Sequence, residues 1–400
     1  MRMQQALMIN VGSSSLKWQL FDLATQQAIA TGLAERLNAA QSIFKIKFQG
    51  QVTQIQQDQL TLKQVATLLV EKLPALGLIQ QWSDLAAIGH RVVAGGERFK
   101  QPVRLSATVL AELATLSDLA PLHNPPALRF IDTMRQVVPK VPQYAVFDSQ
   151  FFTTLPELNA IYRLPYELTQ QLQIRRYGEH GISHGYLAQQ AAQVLHQPLA
   201  ALKLVTLHLG SGASATAIKD GQAFDTSMGL TPLTGLTMGT RAGDIDPAIV
   251  PYLMKKLDLA TPEAVLTLLN TQSGLRGISG ISTDMRDLTA QAATQPRAQL
   301  AIDIFVNRVV KYVGSYFAEM QGIDAIVFSG GIGENDAAVR AQICRQLSVF
   351  GIALDPARNR HQHTGIISTP TSAIKVLRLP TNEELAMLQL LQRSGELKES

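Results

Sequence analysis

Residues 203–246 read KLVTLHLGSGASATAIKDGQAFDTSMGLTPLTGLTMGTRAGDID. Leu204-Val205-Thr206-Leu207 is a short apolar run of the kind that forms a buried strand. Gly210-Ser211-Gly212-Ala213-Ser214 interrupts it with small residues. Residues 215–219 follow as a second strand, and Asp220-Gly221 is a tight-turn signal. A Gly/Thr-rich segment then carries an arginine, Arg241, to Gly243, Asp244 and Asp246. Strand, small-residue loop and strand is one way to bring backbone N–H groups to a phosphate without side chains intervening.

The same pattern occurs near the N-terminus. Residues 6–9 form an apolar strand, Gly12-Ser13-Ser14-Ser15 a loop, and residues 16–23 an alternating return strand. ALMINVGSSSLKWQLF and LVTLHLGSGASATAI align as apolar strand, glycine, serine-rich bend and alternating strand. This predicts a duplicated α/β module with a cleft between the copies.

The remaining elements fit that plan. Strands are expected over 42–49, 85–90, 141–147, 324–328 and 374–379, with a polar hairpin at Gly50. Helices are expected over 60–73, ending before Pro74, and over 186–195, 298–320, 337–347 and 382–392. Further helices begin at Ser106 as N-cap, with Leu110, Leu113 and Leu116 on one face, at Pro247, and at Thr261-Pro262-Glu263. Residues 91–99 and 175–185 read as loops, and PLHNPP at 121–126 is excluded from regular structure.

Composition bounds the possibilities. Four hundred residues exceed one ordinary core and imply two domains. The chain is 46% apolar and 16% charged, a well-buried globular balance. A net charge of +4 without basic runs argues against nucleic-acid or membrane partners, despite a pI of about 9.1. The single Cys344 excludes an intrachain disulfide framework and a multi-cysteine metal site, so cytoplasmic residence is expected. MRMQQALMIN lacks the pattern of a signal peptide, and no apolar run reaches the ~18 residues of a membrane helix.

Several familiar patterns fail on context. Gly181-Ile182-Ser183-His184-Gly185 fits G-x-S-x-G, yet a polar stretch precedes it where a nucleophile elbow needs an apolar strand. Ser14-x-x-Lys17 lacks the companions of an S-x-x-K enzyme. Gly210-x-Gly212-x-x-Ala215 should open a helix to bind a dinucleotide, and here it leads into a strand. No P-loop or protein-kinase motif occurs. His361 and His363 read as a solvated polar loop rather than metal ligands.

Three small-residue loops at strand ends remain: Gly12 to Ser15, Gly210 to Ser214, and Gly330-Gly331-Ile332-Gly333-Glu334-Asn335. The third precedes a helix, whose N-terminus would favour an anion. Phosphoryl transfer needs cations on the moving charge, and Lys17, Arg91, His180 and Arg241 are the candidates. Lys17 and Arg91 are equally compatible with a solvated surface, and one of His180 and His184 is expected to be structural. Arg241, flanked by glycine and acids, suits an anion clamp. Asp148 could orient or deprotonate an acceptor, or cap the next segment. Asn10 and either Glu383 or Glu384 could anchor Mg²⁺.

Together these segments resemble the acetokinase family of the sugar kinase and actin superfamily. INVGSSSLKWQLF, GHRVVAGGE, LAPLHNPPAL, VFDSQF, RRYGEHGISH, TLHLGSGAS, DTSMGLTPLTGLTMGTRAGDIDP, SGLRGISGISTDMRDL, FSGGIGEN and PTNEEL carry the resemblance from end to end. It implies two ribonuclease H-like (actin-like ATPase) domains with an interdomain active-site cleft. Residues 1–150 plus 384–400 would form one domain and 151–383 the nucleotide-binding one. The implied reaction is Mg²⁺- or Mn²⁺-dependent phosphoryl transfer from ATP to acetate, giving ADP and acetyl phosphate, by a homodimer. Asp148, His180 and Arg241 match the catalytic positions. Arg91, Val93, Leu122 and Pro232 match the substrate site. Lys17, then His208, Leu209, Gly210, Ser211 and Gly212, then Asp284, Met285 and Arg286, then Gly331, Ile332, Gly333, Glu334 and Asn335 match the nucleotide contacts. Asn10 and Glu383 match the metal anchors.

The departures from the family pattern surround the catalytic set. Glu179 stands where the family usually has phenylalanine, Ala94 replaces a histidine, Ser211 an asparagine, and Phe152 a histidine. A carboxylate at an acetate site would repel substrate unless it turns outward or pairs with an arginine. The resemblance therefore implies altered acyl-acid selectivity. A propionate or butyrate kinase and a catalytically weak nucleotide sensor are the competing functions.

Overall fold

The computed structural model describes residues 4–12 and 14–397. The chain divides into two compact units, one running to Gln150 and resuming at Asn382, the other Phe151–Thr381. Ser13, in the first small-residue loop, and residues 398–400 lie outside the described residues.

The first unit is built on a sheet of strands β1 (Gln5–Val11), β2 (Ser15–Asp22), β3 (Ala28–Glu35), β4 (Ser42–Phe48), β5 (Gln51–Gln57), β6 (Leu85–Val92), β7 (Val103–Arg104) and β8 (Gln143–Phe147). Their order is β5-β4-β3-β2-β1-β6-β8-β7. β1 pairs antiparallel with β2 and parallel with β6, and β6 pairs parallel with β8. The second unit holds β9 (Leu204–Leu209), β10 (Ala213–Lys219), β11 (Gln222–Thr226), β12 (Ala325–Ser329), β13 (Gly365–Ile366) and β14 (Lys375–Arg378), ordered β11-β10-β9-β12-β14-β13. β9 pairs antiparallel with β10 and parallel with β12, and β12 parallel with β14. The core order β3-β2-β1-β6-β8 thus recurs as β11-β10-β9-β12-β14 with the same strand senses. The paired sequence segments predict this duplication, and both units are ribonuclease H-like, as the family resemblance implies.

Helices cover both faces of each sheet. In the first unit, Val65 and Leu69 of the helix Leu62–Ala75 and Phe130 and Met134 of the helix Asn124–Val137 join Leu7, Ile9 and Trp18 in one core. The C-terminal helix Glu383–Arg393 packs on β1, β2, β6 and β8. In the second unit, the helices Pro296–Met320 and Ala337–Gln346 bury Phe305, Val309 and Ile343 against β9, β10 and β12. Helix Gly181–Leu195 lays Leu187, Ala188 and Ala191 on the other face.

Among the helices the structure differs from the sequence expectations at four places, each for a local reason. Helix Leu62–Ala75 runs through Pro74. Proline there leaves the carbonyl four residues back without its usual donor, and the Trp82 indole N–H supplies one to Val70 O at 3.2 Å. PLHNPP is partly helical, because Pro125 falls in the first turn of Asn124–Val137, where N–H groups need no intrahelical acceptor. Residues 181–185 are the first turn of a helix rather than loop, since Ile182, Ser183 and His184 are buried against the sheet. Gly330–Asn335 is itself a short helix, and Asp336 caps the next helix through Ala338 N at 3.0 Å and Val339 N at 2.9 Å.

Gly330 makes that second junction possible. Its φ is +77°, and a Cβ there would lie 2.7 Å from the Leu209 carbonyl oxygen. At Gly331 a Cβ would meet nothing within 4 Å. Gly330→Ala is expected to destabilise the protein by about 1–3 kcal/mol through strain and backbone contact, whereas Gly331→Ala leaves stability unchanged. Urea unfolding followed by circular dichroism separates the two; equal midpoints would contradict the contact.

Candidate active site

The first unit gathers its charged candidates at the carboxyl ends of β1, β6 and β8. Arg91, expected in a loop, lies in β6 and is 9% exposed. Its Nε and Nη2 donate to Asp148 Oδ2 at 2.9 and 2.5 Å, and its Nη1 donates to Asn10 Oδ1 at 3.1 Å. Asp148 is fully buried, so this forked ion pair carries little solvent screening. Asn10 Nδ2 donates to Glu383 Oε2 at 2.6 Å. Lys17 faces Asn10 directly across the β1–β2 ladder. Five sequence candidates therefore form one connected group.

Glu384, the alternative metal anchor, lies beside them at 6% exposure, with Gln19 Nε2 donating to its Oε2 at 3.2 Å. Its Oε1 is buried without a hydrogen-bond partner among the described residues. Burial raises the Glu384 carboxyl, the neighbouring Glu383 charge adds to this, and Lys17 opposes it. No cluster of three or more His, Cys, Asp or Glu able to hold a metal occurs among the described residues.

The loop after β6 is held from two sides. Asn124 Nδ2 donates to Ala94 O at 3.0 Å, and its Oδ1 accepts from Ala94 N at 3.1 Å. Ser149 Oγ accepts from Gly95 N at 2.9 Å. Val93 packs with Ala94 and Ala120, whereas Leu122 is 42% exposed. Asn124 escaped the sequence analysis, although its setting between a histidine and two prolines marked an unusual turn.

In the second unit, five histidine and serine positions interlock. His180 takes a left-handed backbone, φ 60°, at the N-cap of Gly181–Leu195. Its Nδ1 bonds Ser214 Oγ at 2.9 Å, and its ring stacks on His208 with centroids 4.3 Å apart. His184 is the structural partner: it is fully buried, with Nδ1 to Thr206 Oγ1 at 2.7 Å and Nε2 to Ser214 Oγ at 2.8 Å. Ser183 Oγ holds His208 Nδ1 at 2.8 Å. His208 therefore supports the His180 ring. The strand register fixes both Ser214, which the sequence marks as part of a phosphate loop, and Thr206, which nothing local marks as a site residue.

Arg241 lies beside them. Its Nη1 donates to Pro232 O at 2.8 Å and to Glu179 Oε2 at 3.4 Å. Pro232 thus contributes its carbonyl. Glu179 is buried, and its pairing resolves how a carboxylate is accommodated here: it faces an arginine. A Cβ at Gly212 would lie 2.8 Å from Arg241 Nη2 and 3.4 Å from His180 Nε2. Glycine at 212 keeps that approach open. Arg241 is only 12% exposed, yet its Nε and Nη2 donate to no acceptor among the described residues.

A separate cavity of about 410 Å³ brings the predicted nucleotide loops together. Gly210 and Ser211, Asp284 to Arg286, and Gly331, Ile332 and Asn335 line it, with Thr283 and Asp336, which sequence reasoning missed. Leu209 is fully buried, and neither Gly333 nor Gly212 lines the cavity. Glu334 turns inward, its Oε1 accepting from Gly330 N at 2.9 Å. Asp284 is tied to Arg286 at 2.5 Å.

The comparisons agree with this architecture. The family model described as "Acetokinase family" matches residues 5–389. Acetate kinase 1 of Latilactobacillus sakei is 48% identical over 393 residues, covering 98% of this chain and 100% of that protein. Among solved structures, a propionate kinase from Francisella tularensis is 41% identical with TM-score 0.90, covering 97% of this chain and 99% of that one. The acetate kinase of Porphyromonas gingivalis is 36% identical with TM-score 0.86, covering 96% and 98%.

Burial disfavours the charged ring of two histidines. His90 is pushed down to about 4, opposed by its bond to Gln143, and His184 is pushed well below 6.5, with the His208 charge adding to the effect. Unfolded imidazoles bind protons near ~6.5 and these folded ones do not, so their contribution to stability is complete above that pH and lost as pH falls toward the folded values. At about pH 6 both rings should keep neutral-imidazole nitrogen shifts by NMR; a midpoint near the unperturbed value for either would contradict its burial.

Proposed function

We infer that this chain, which belongs to the acetokinase family, transfers the γ-phosphoryl group of ATP reversibly to the carboxylate of acetate, giving ADP and acetyl phosphate. One observation carries the catalytic assignment: Arg241 is a nearly buried guanidinium with an unused donor edge, beside His180 and Gly212. A mostly buried cation whose spare donors remain open calls for an anion.

In this reaction an acetate oxygen bonds to the γ-phosphorus as the bond to the ADP oxygen breaks. Negative charge spreads over the three transferring oxygens, and catalysis is mostly positioning and charge stabilisation. Arg241 and His180 serve as the donors to that charge. Their geometry is set beforehand, Arg241 by Pro232 O and Glu179, His180 by Ser214 and the His208 ring. Arg91 presents its guanidinium to the acetate carboxylate, and Asp148 fixes that guanidinium by a fork. Val93, Leu122 and Pro232 measure the acyl group. Lys17 contacts ATP phosphates, while the 410 Å³ cavity takes the rest of the nucleotide through its glycine backbone and the Asp284–Arg286 pair. The unit Phe151–Thr381 is accordingly the nucleotide-binding one.

The donor set of Asn10 and Glu383 fits Mg²⁺ or Mn²⁺. It offers only oxygens, one of them anionic, and the buried, unpartnered Glu384 Oε1 is a further oxygen nearby. Few protein ligands suffice where waters and phosphates complete the shell. The ion would supply charge neutralisation at the phosphates. Homodimeric assembly and cytoplasmic residence belong to the same proposal and rest on the family resemblance.

A second substrate is favoured by two observations. Glu179, standing where the family usually has a bulkier phenylalanine, is drawn onto Arg241 and leaves room for one more methylene, and the Francisella tularensis protein, a propionate kinase, is 41% identical. Propionate should therefore be used at a rate approaching that of acetate.

Arg241→Ala should lower kcat by about 10²–10³ with modest change in the KM for ATP. Coupled assays of ADP formation would show it, and an unchanged rate would remove Arg241 from the mechanism. Glu179→Gln keeps the acceptor and removes the charge, so the KM for acetate should fall several-fold; a higher KM would show that the carboxylate itself is needed.

A further inference from the structure

Outside the residues used above, the second unit has a cavity of about 540 Å³ between the helices Ala337–Gln346 and Pro356–His361. Its walls are apolar, formed by Ala338, Ala341, Ile352, Leu354 and Pro356. Cys344 is part of the lining, and burial pushes its thiol up to about 12, so it is a neutral, unreactive surface. Two exposed arginines, Arg345 and Arg360, border the cavity without an acidic partner among the described residues. Apolar walls beneath unpaired guanidinium groups match a molecule with an apolar body and an anionic head. The volume is within the range of small-molecule sites, roughly 300–1,000 Å³.

The cavity is mechanically joined to the nucleotide cavity. Asn359, in its wall, donates from Nδ2 to Ala337 O at 2.8 Å. Arg340 donates to Asn359 twice, from Nε to Oδ1 at 2.8 Å and from Nη2 to O at 2.6 Å. The remaining nitrogen, Nη1, donates to Gly333 O and Glu334 O, both at 2.9 Å. Those carbonyls end the short helix whose Gly331, Ile332 and Asn335 line the 410 Å³ cavity. Arg340 is 1% exposed and is held by neutral acceptors alone. A guanidinium fork fixed at both ends is stiff, so a shift of Asn359 moves the nucleotide-lining helix.

We propose that the cavity between Ala337–Gln346 and Pro356–His361 is an effector site for a small amphiphilic anion, a carboxylate, sulfonate or phosphate on an apolar body, coupled to nucleotide affinity through Asn359 and Arg340. The coupling half rests on the nucleotide assignment of the 410 Å³ cavity; the binding half does not. The probe is 8-anilinonaphthalene-1-sulfonate, whose fluorescence reports binding without any assay of activity. The intact protein should bind it saturably at one site. Ala341→Trp, which fills the cavity, should abolish binding, and Arg345→Glu with Arg360→Glu should weaken it at least ten-fold. Calorimetric titration of ADP should show a dissociation constant changed about five-fold or more by saturating probe, a typical coupling size. That change should be absent in Ala341→Trp, and Arg340→Lys should keep probe binding while losing the coupling. Undiminished probe fluorescence in Ala341→Trp, or competitive displacement of the probe by ADP, overturns the site. An ADP affinity indifferent to bound probe overturns the coupling, and failure of ADP to bind at all sinks the nucleotide assignment while leaving the probe measurements to judge the site.

Discussion

Two backbones can meet closely only where no side chain stands between them. The second unit is arranged around one such meeting, where Gly330, at φ +77°, abuts the Leu209 carbonyl at the end of β9. Any other residue would push β12's exit away from the Gly210–Gly212 bend. With the contact in place, Gly331, Ile332 and Asn335 share a cavity with Gly210 and Ser211. Where the two loops meet, Gly210, Ser211 and Gly331 leave the backbone open, which suits an anion that must approach N–H groups. The parallel pairing of β9 with β12 fixes the depth of both loops together.

A second constraint is the cost of burying charge. Arg91 and Asp148 meet it by mutual pairing, with Asn10 and Glu383 continuing the chain of bonds. Arg241 meets it only in part, through one carbonyl and one carboxylate on the same nitrogen. Arg340 meets it with neutral oxygens alone; burial, and then the charge of Arg378, lower it to about 10. These arrangements differ in kind. Pairing at every nitrogen fixes an arginine's orientation while leaving a second N–H on each Nη, and a nitrogen with no acceptor at all is open to an anion.

Much of the fold was legible because its signals are local. Alternation and apolar runs marked the central strands, and Thr261, Ser106 and Asn382 cap helices as their side chains predict, accepting from the N–H groups of Ala264, Val109 and Leu385. Proline was less readable. Pro74 and Pro125 read as breakers, yet one is compensated by a distant tryptophan and the other occupies a first turn where it costs nothing. The glycine-rich segment 330–335 looked like loop, and tertiary contacts made it helical.

The sequence by itself determined which chemistry was available: small-residue bends after apolar strands, a few arginines and histidines near those bends, and a duplicated order of strands. These follow from residue type and spacing within about a dozen positions. Only the tertiary structure decided partnership. It made His184 the buried support, because the register of β9 and β10 sets Thr206 and Ser214 against its two ring nitrogens, and it left His180, which Ser214 also holds, beside the arginine. It paired Glu179 with Arg241 across 62 positions and Arg91 with Asp148 across 57. Such pairings depend on strand order and crossover, which no local pattern encodes.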